Sequence, residues 1–441
     1  MKQHTLHNAQ QRRNNCKSSF NMKLLSLLLF ALSAQVGLAL SVKLSECVEA
    51  AFRRSEVLAS KQDQIQQAEE RYSQALGAIL PTLGGTASYL QQDRGLGTYP
   101  NSQPLIKLTL SQPIFRGLRE FHALAQAASL TTAEREAKDH AQRLLFLDVA
   151  QNVLTILSLE QELKNLGSEM DAYQKRIKEL RDRVAIGRSR ATEVLSVESN
   201  LAILKSQTAL IHGQLQVARE VFFFLTGLAK GTTLEDSVSL KQALPSLDSF
   251  LNKIEGRPDI RGAKARLMAA EQNITVARGA HFPSIDLTGN YYAKRTGTLE
   301  DVKWDVQAVL TLPIFNGGIL QSKVAEARSQ HHQNEMEWQR ARRQAEQDIR
   351  SAYESLQSDL RQLESLNRAV DLAERNFVEQ SKEYRLGLVN NLDVLQALAN
   401  FEQAKRSLDK TKFLGKLDQL RLKVAAGIDK PWEEGKANDA F

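Results

Sequence analysis

The sequence predicts a mainly α-helical chain with a small membrane β-barrel contribution, in which one plan is written twice: a β-hairpin, then a long antiparallel coiled-coil helical hairpin. Three observations predict it. Sequence blocks recur at a nearly constant offset of 200 residues. Long stretches carry apolar residues at alternating steps of three and four, the coiled-coil period. Between them lie short stretches that alternate with period two, the strand period.

The repeat is read from paired blocks. Gln112-Pro113-Ile114-Phe115-Arg116-Gly117 matches Leu312-Pro313-Ile314-Phe315-Asn316-Gly317. Gly187 matches Gly387, Glu193-Val194-Leu195 matches Asp393-Val394-Leu395, and Gly227 matches Gly427. Upstream the offset is 202, with Pro81 against Pro283. The expected organisation is therefore an N-terminal extension and removed signal peptide (1–39), a first repeat (40–227), a linker or equatorial segment (228–256), a second repeat (257–427) and a tail (428–441).

Each element has its own reason. A helix precedes Pro81 and another precedes Pro283, because the residue before proline disfavours the α region. Pro258 and Asp259 open the second of these helices, proline and an acidic residue both suiting a first turn. Expected β-hairpins follow at 82–113 and 284–313. Ile106, Leu108 and Leu110 alternate with Lys107, Thr109 and Ser111; Ile285, Leu287, Gly289 and Tyr291 alternate with Asp286, Thr288, Asn290 and Tyr292. About nine residues fit a tilted transmembrane strand. Tyr89, Tyr291, Tyr292 and Trp304 are expected at the membrane–water interfaces. The coiled-coil hairpins are expected at 117–227 and 317–427. The first has one seam of Leu159, Leu163, Leu166, Met170, Tyr173, Ile177, Leu180 and Val184. After a break at Gly187 the facing seam is Val194, Val197, Leu201, Leu204, Thr208, Ile211, Leu215, Ala218, Phe222 and Leu225.

Composition narrows the function. Of 441 residues 25% are charged, 6% are aromatic and 9 are proline, a mixture that favours long helices. The net charge of +7 comes without a dense basic run interleaved with aromatics, so no nucleic-acid partner is expected. Cys16 and Cys47 have neither metal spacing nor a disulfide framework. Lys17 and Lys23 flank the start of an apolar run at 24–32, and Gly37 and Ala39 are small residues two apart; this reads as a secretory signal too short to span a bilayer. No transmembrane helix remains after it, so a spanning segment must be a closed barrel. Four strands cannot close one, for which about eight are needed, so strands must be pooled between copies. The chain carries no nucleotide loop or zinc-protease motif. His331 and His332 are adjacent on a helix and point about 100° apart. Neither a metal nor a cofactor is expected, and no catalytic residue.

This order of elements resembles the outer membrane efflux protein family, the TolC-like proteins. The motifs that carry the resemblance are Pro81 and Pro283 at strand entry, Pro113 to Gly117 and Pro313 to Gly317 with Gly318 at strand exit, Arg257-Pro258-Asp259, and Tyr384 to Gly387 at a tip. The resemblance covers residues 44–427. It implies an outer-membrane location with a long periplasmic extension and contact with membrane lipid. It implies a homotrimer whose strands form one barrel and whose helices form one tunnel. It also implies a passive export duct, for efflux or type I secretion, working with a periplasmic adaptor and an inner-membrane pump of the RND or ABC type. Members close the periplasmic end with polar links between hairpin tips. Carried over, these are Thr192 and Glu193 on the first tip and Tyr384 on the second; the usual arginine position is Val389. Arg188 and Arg190 lie on the first tip with Asp393 opposite, and the acidic position at a narrow entrance is Gln396. The alternative is a periplasmic coiled-coil adaptor or scaffold without a channel. Strand pairs inside each duplicated half argue against it.

Overall fold

The structure, a computed structural model, describes residues 41–93, 101–428, 430 and 432. The expected signal segment 1–39 with Cys16, part of the first strand loop, and nearly all of the tail lie outside the described residues.

Two helices open the chain, α1 (Leu44–Arg54) and α2 (Glu56–Gly77). Ser55 separates them and caps the second, its side chain accepting from the Leu58 amide at 3.2 Å. Past Pro81 come β1 (Thr82–Gln91) and β2 (Ser102–Arg116), then α3 (Arg119–Ala185) and α4 (Ala191–Thr226). A connecting segment holds α5 (Leu247–Leu251) and a 3-10 turn (Ile254–Gly256). The order then repeats: α6 (Pro258–Gly279), β3 (Ser284–Lys294), β4 (Trp304–Thr311), α7 (Ile319–Leu386) and α8 (Asn391–Ala425). The fold is thus mostly helical with one small antiparallel sheet, as the periodicities predict. With 67 and 68 residues, α3 and α7 are each about 100 Å long at 1.5 Å per residue.

The four strands form one sheet in the order β1-β2-β3-β4. Its register sorts the side chains onto two faces. Leu83 lies opposite Leu110, Leu110 opposite Gly289, and Gly289 opposite Val306; Leu108 lies opposite Tyr291, and Tyr291 opposite Trp304. That face is apolar, and its large residues are mostly exposed. The other face is polar and hydrogen-bonded: Thr109 donates to Asn290 at 2.8 Å, and Asn290 donates to Asp305 at 2.8 Å. Tyr292 belongs to this polar face, donating to Asp305 at 2.9 Å, so it does not share the apolar rim with Tyr291 and Trp304. The period-two pattern assigned it correctly; its aromatic ring argued the other way. β2 is longer than expected and continues through Pro113, where the register shifts, as a residue without an N–H requires.

The coiled-coil seams pack as the three-four spacing demands. Leu166, Tyr173, Ile177 and Leu180 of α3 are buried with Val197 and Leu204 of α4; Met170, Val194, Leu201 and Ile211 are half-buried around them. Higher up, Phe146, Val149 and Val153 of α3 share a second core with Leu215, Ala218 and Phe222 of α4 and with α1. In the connecting segment Phe250 and Ile254 pack on Ile349 and Leu356 of α7, forming a third. Arg257, only 7% exposed, ties the start of the second half to its end: it is bidentate to Asp259 and also reaches Asp348 at 3.1 Å and the Ala425 carbonyl at 3.0 Å.

At the corner from β2 into α3, Gly117 has φ +67°, and a Cβ there would lie 2.2 Å from the Gly279 carbonyl oxygen. Two backbones touch, so neither position accepts a side chain. The matching corner in the second half, Gly317 and Gly318, also has positive φ but faces open space, and Gly77, the counterpart of Gly279, faces open space as well.

Candidate aperture at the helical tips

Both long helices stop at a glycine-containing turn. Gly187 and Gly387 have φ +74° and +79°, the left-handed conformation that ends a helix and that L side chains resist. Leu388 donates to the Glu383 carbonyl and Arg188 to the Arg183 carbonyl, closing the two turns alike. The returning helices start differently. Asn390 and Asp393 form a reciprocal capping box on α8, with distances of 3.0 and 3.1 Å. On α4 the cap position is Arg190, which provides no side-chain cap. There Ser189 donates to Glu193 at 2.7 Å, satisfying a carboxylate that already sits favourably in the first turn.

The two tips meet at Tyr384, which is buried although Leu386 and Leu388 beside it are exposed. Its hydroxyl donates to Glu193 at 3.4 Å, a long bond to the same oxygen that Ser189 reaches at 2.7 Å. Its ring is gripped more closely. The Arg176 guanidinium lies 3.9 Å and that of Arg183 4.6 Å from the ring centroid. Arg176 also donates to Asn391 on α8 at 2.9 Å and pairs with Glu179, which Arg183 meets at 3.3 Å. The grip thus joins α3, α4, α7 and α8.

Of the residues expected here, Glu193 and Tyr384 come together. Thr192 lies exposed in the first turn of α4, and Gln396 donates to Asn400 on its own helix at 2.9 Å. Among the described residues no ion pair joins Arg188 or Arg190 to Asp393; both arginines are exposed, and Asp393 is spent on its own cap. Val389 packs against the apolar core of the tips. The cations instead come from the opposite side, from α3. Arg176 and Arg183 were missed because they precede the tip by more than a helical turn or within one, where a basic residue reads as solvated. Their spacing of seven is the available signal: it places both on one helix face.

Among the described residues no group of three or more His, Cys, Asp or Glu is placed to hold a metal ion. His332 is exposed and lies 3.6 Å from Glu335. No helix among the described residues is long and apolar enough to cross a membrane.

A lipid-compatible sheet that continues into helices about 100 Å long, pinched together at their far ends, defines the class: a subunit of an outer-membrane channel with a helical tunnel. The chain belongs to the outer membrane efflux protein family, whose model matches residues 48–228 and 252–427. It is an outer-membrane protein with a long periplasmic helical portion. Among curated relatives it is 22% identical over 378 residues to outer membrane protein TolC of Escherichia coli K12, covering 81% of this chain and 76% of that one. It is 28% identical over 195 residues to the toluene efflux pump outer membrane protein TtgC of Pseudomonas putida, covering 42% of this chain and 39% of that one. The outer membrane protein VceC of Vibrio cholerae superposes with a TM-score of 0.76 at 20% identity, over 87% of this chain and 96% of that one.

Proposed function

We propose that this chain is a passive, non-enzymatic duct: the outer-membrane component of a three-part export system, driven by an inner-membrane pump through a periplasmic adaptor. One observation carries the reading. The sheet has a lipid-compatible face but leaves β1 and β4 unpaired at its edges, and open edges are not tolerated in a bilayer. Copies must therefore close it together.

The internal repeat supports how they do so. Within one chain the corner at Gly117 seats on Gly279. Continued around a ring, the same contact sets Gly317 of one copy on Gly77 of the next, and both face open space here. In the same way β4 pairs with the next copy's β1, and α7 lies on its α4. That helix carries a second apolar stripe at heptad spacing, Ile203, Leu210, Val217 and Phe224, each more than half exposed. A homotrimer closes the ring, as in the resemblance drawn from the motifs. The repeats 40–227 and 257–427 are its structural units, and 228–256 is the belt between them. The contacts of Tyr384 with Glu193, Arg176 and Arg183 hold the periplasmic entrance shut. Exposed Ile186, Leu386, Leu388 and Leu392 offer the adaptor an apolar landing at the tips. Efflux of small molecules is favoured over type I protein secretion by the toluene and antibiotic efflux-pump names among the relatives, and a pump of the RND or ABC type supplies the energy.

The experiment is reconstitution into planar bilayers, with mass measurement in detergent. Trimers that conduct are expected. A folded monomer in membranes would remove the pooled barrel, and intact trimers that never conduct would remove the duct.

A further inference from the structure

Beside its apolar contacts the seam between α3 and α8 carries a polar ladder: Arg176 meets Asn391, Glu169 meets Arg406, Asn165 meets Asp409, and Gln151 meets Arg421. One step of this ladder is badly balanced. Glu169 and Glu402 are 4% and 5% exposed. Arg406 is bonded to Glu169 and lies 3.9 Å from Glu162. For Glu402 the ion pair is with Lys405, at a long 4.0 Å, Arg406 lies one turn further along the same helix, and its own Oε2 has no hydrogen-bond partner. Three carboxyl groups thus crowd one guanidinium. A buried carboxylate oxygen without a donor is costly, and a proton removes both its charge and its need for one.

We propose that Glu169, Glu402 and Arg406 form a proton-sensitive latch across the α3–α8 seam, closed while the two buried carboxyl groups hold a proton and loosened when it leaves. Burial pushes both carboxyls upward. For Glu169 burial outweighs the pull of Arg406, and the charge of Glu402 adds to it; for Glu402 burial outweighs Lys405 and Arg406. Tyr173 beside them is raised by burial too, so it brings no charge near neutrality. The groups that face the pair are Glu162 and Tyr173 on α3 and Lys405 and Arg406 on α8, while α4 and α7 contribute no charge to either carboxyl. A raised carboxyl stabilises the packed seam at lower pH, and that contribution is lost as pH rises through the folded value.

The repeat sharpens the inference. At the offset of 200 the counterparts of Glu169, Glu402 and Arg406 are Ala369, Ala202 and Ser206. The equivalent α7–α4 contact between copies therefore lacks both carboxyls and the guanidinium at this level and keeps only Lys205, the counterpart of Lys405. Protons act on one kind of seam, the one inside each chain. Only the consequence for passage rests on the duct reading; the latch belongs to two hairpins of one chain.

The test is a distance between spin labels at Ser168 and Lys410, both exposed, in protein with Cys16→Ala and Cys47→Ala, labelled chains being diluted into unlabelled ones. From about pH 4, near the ordinary carboxylate range, to about pH 8 the wild-type distance should lengthen and broaden. Glu402→Gln, which mimics the protonated group, should stay at the short distance throughout, and Glu402→Met should do the same if the glutamine variant fails to fold. A wild type that does not change with pH, or a Glu402 variant that titrates like it, overturns the latch. Bilayer conductance is measured separately: a latch that titrates in non-conducting assemblies counts against the duct alone.

Discussion

The Tyr384 hydroxyl stands 3.4 Å from Glu193, while the Arg176 guanidinium lies 3.9 Å from the ring centroid. A long, part-exposed hydrogen bond is worth about 1 kcal/mol or less. A cation over a buried ring contributes about 0.5–2 kcal/mol, and Arg176 holds Asn391 besides. In single-channel recordings, Tyr384→Phe with Glu193→Gln should therefore raise conductance modestly, and Arg176→Ala should raise it more. A larger effect from the hydroxyl pair would make the ring contacts incidental. Asp359 on α7 poses a different question. Burial and the neighbouring charge of Asp418 raise its carboxyl to about 6, and its Oδ2 has no partner. Its folded value lies above the ordinary one, so the fold favours the protonated form. Stability from this group is present in acid and is lost as pH rises through about 6. Asp359→Asn should raise the thermal midpoint at about pH 8 and leave it unchanged at about pH 4. An equal shift at both would point to packing rather than charge.

The α4 helix has two apolar stripes, and they should answer differently to mutation. Leu204 lies in the seam with α3, and Leu204→Ala should cost about 2–5 kcal/mol of chain stability in denaturant titration. Leu210→Asp and Phe224→Asp lie on the exposed stripe. They should leave helix content intact and lower the fraction of oligomer in detergent; oligomers that persist would separate the stripe from assembly. The first stripe was legible in the sequence because its period-3.5 pattern runs unbroken opposite that of α3. The second hides among Gln, Ala and Ser, and only burial in a single chain separates it from the first. The strands were legible for the same reason of period, and Tyr292 shows that period outranks residue type. At the tips the glycine stops and the first-turn carboxylates were legible, since each follows from local backbone chemistry. Arg176 and Arg183 were not, because their role depends on where another hairpin places Tyr384, far along the chain.

For the whole molecule, the two faces of the sheet set where lipid can lie. Spin labels at Leu108 and Val306 should report hydrocarbon, labels at Thr109 and Gln307 should report water, and labels at Ile177 and Leu204 should report no lipid. Lipid contact at the helical sites would mean that the helices span the bilayer. The unpaired edges of β1 and β4 have a further consequence, a genetic one. A chain that finishes its sheet only with its neighbours does not choose neighbours by allele. If the proposed trimer forms, then in a cell that makes both normal and altered subunits the two would enter the same rings, and one faulty tip would be enough to spoil the seal of three. Leaky variants at Arg176 or Tyr384 should then behave as dominant, sensitising a strain that still carries the intact gene. Variants that block ring assembly, such as Phe224→Asp, should be recessive.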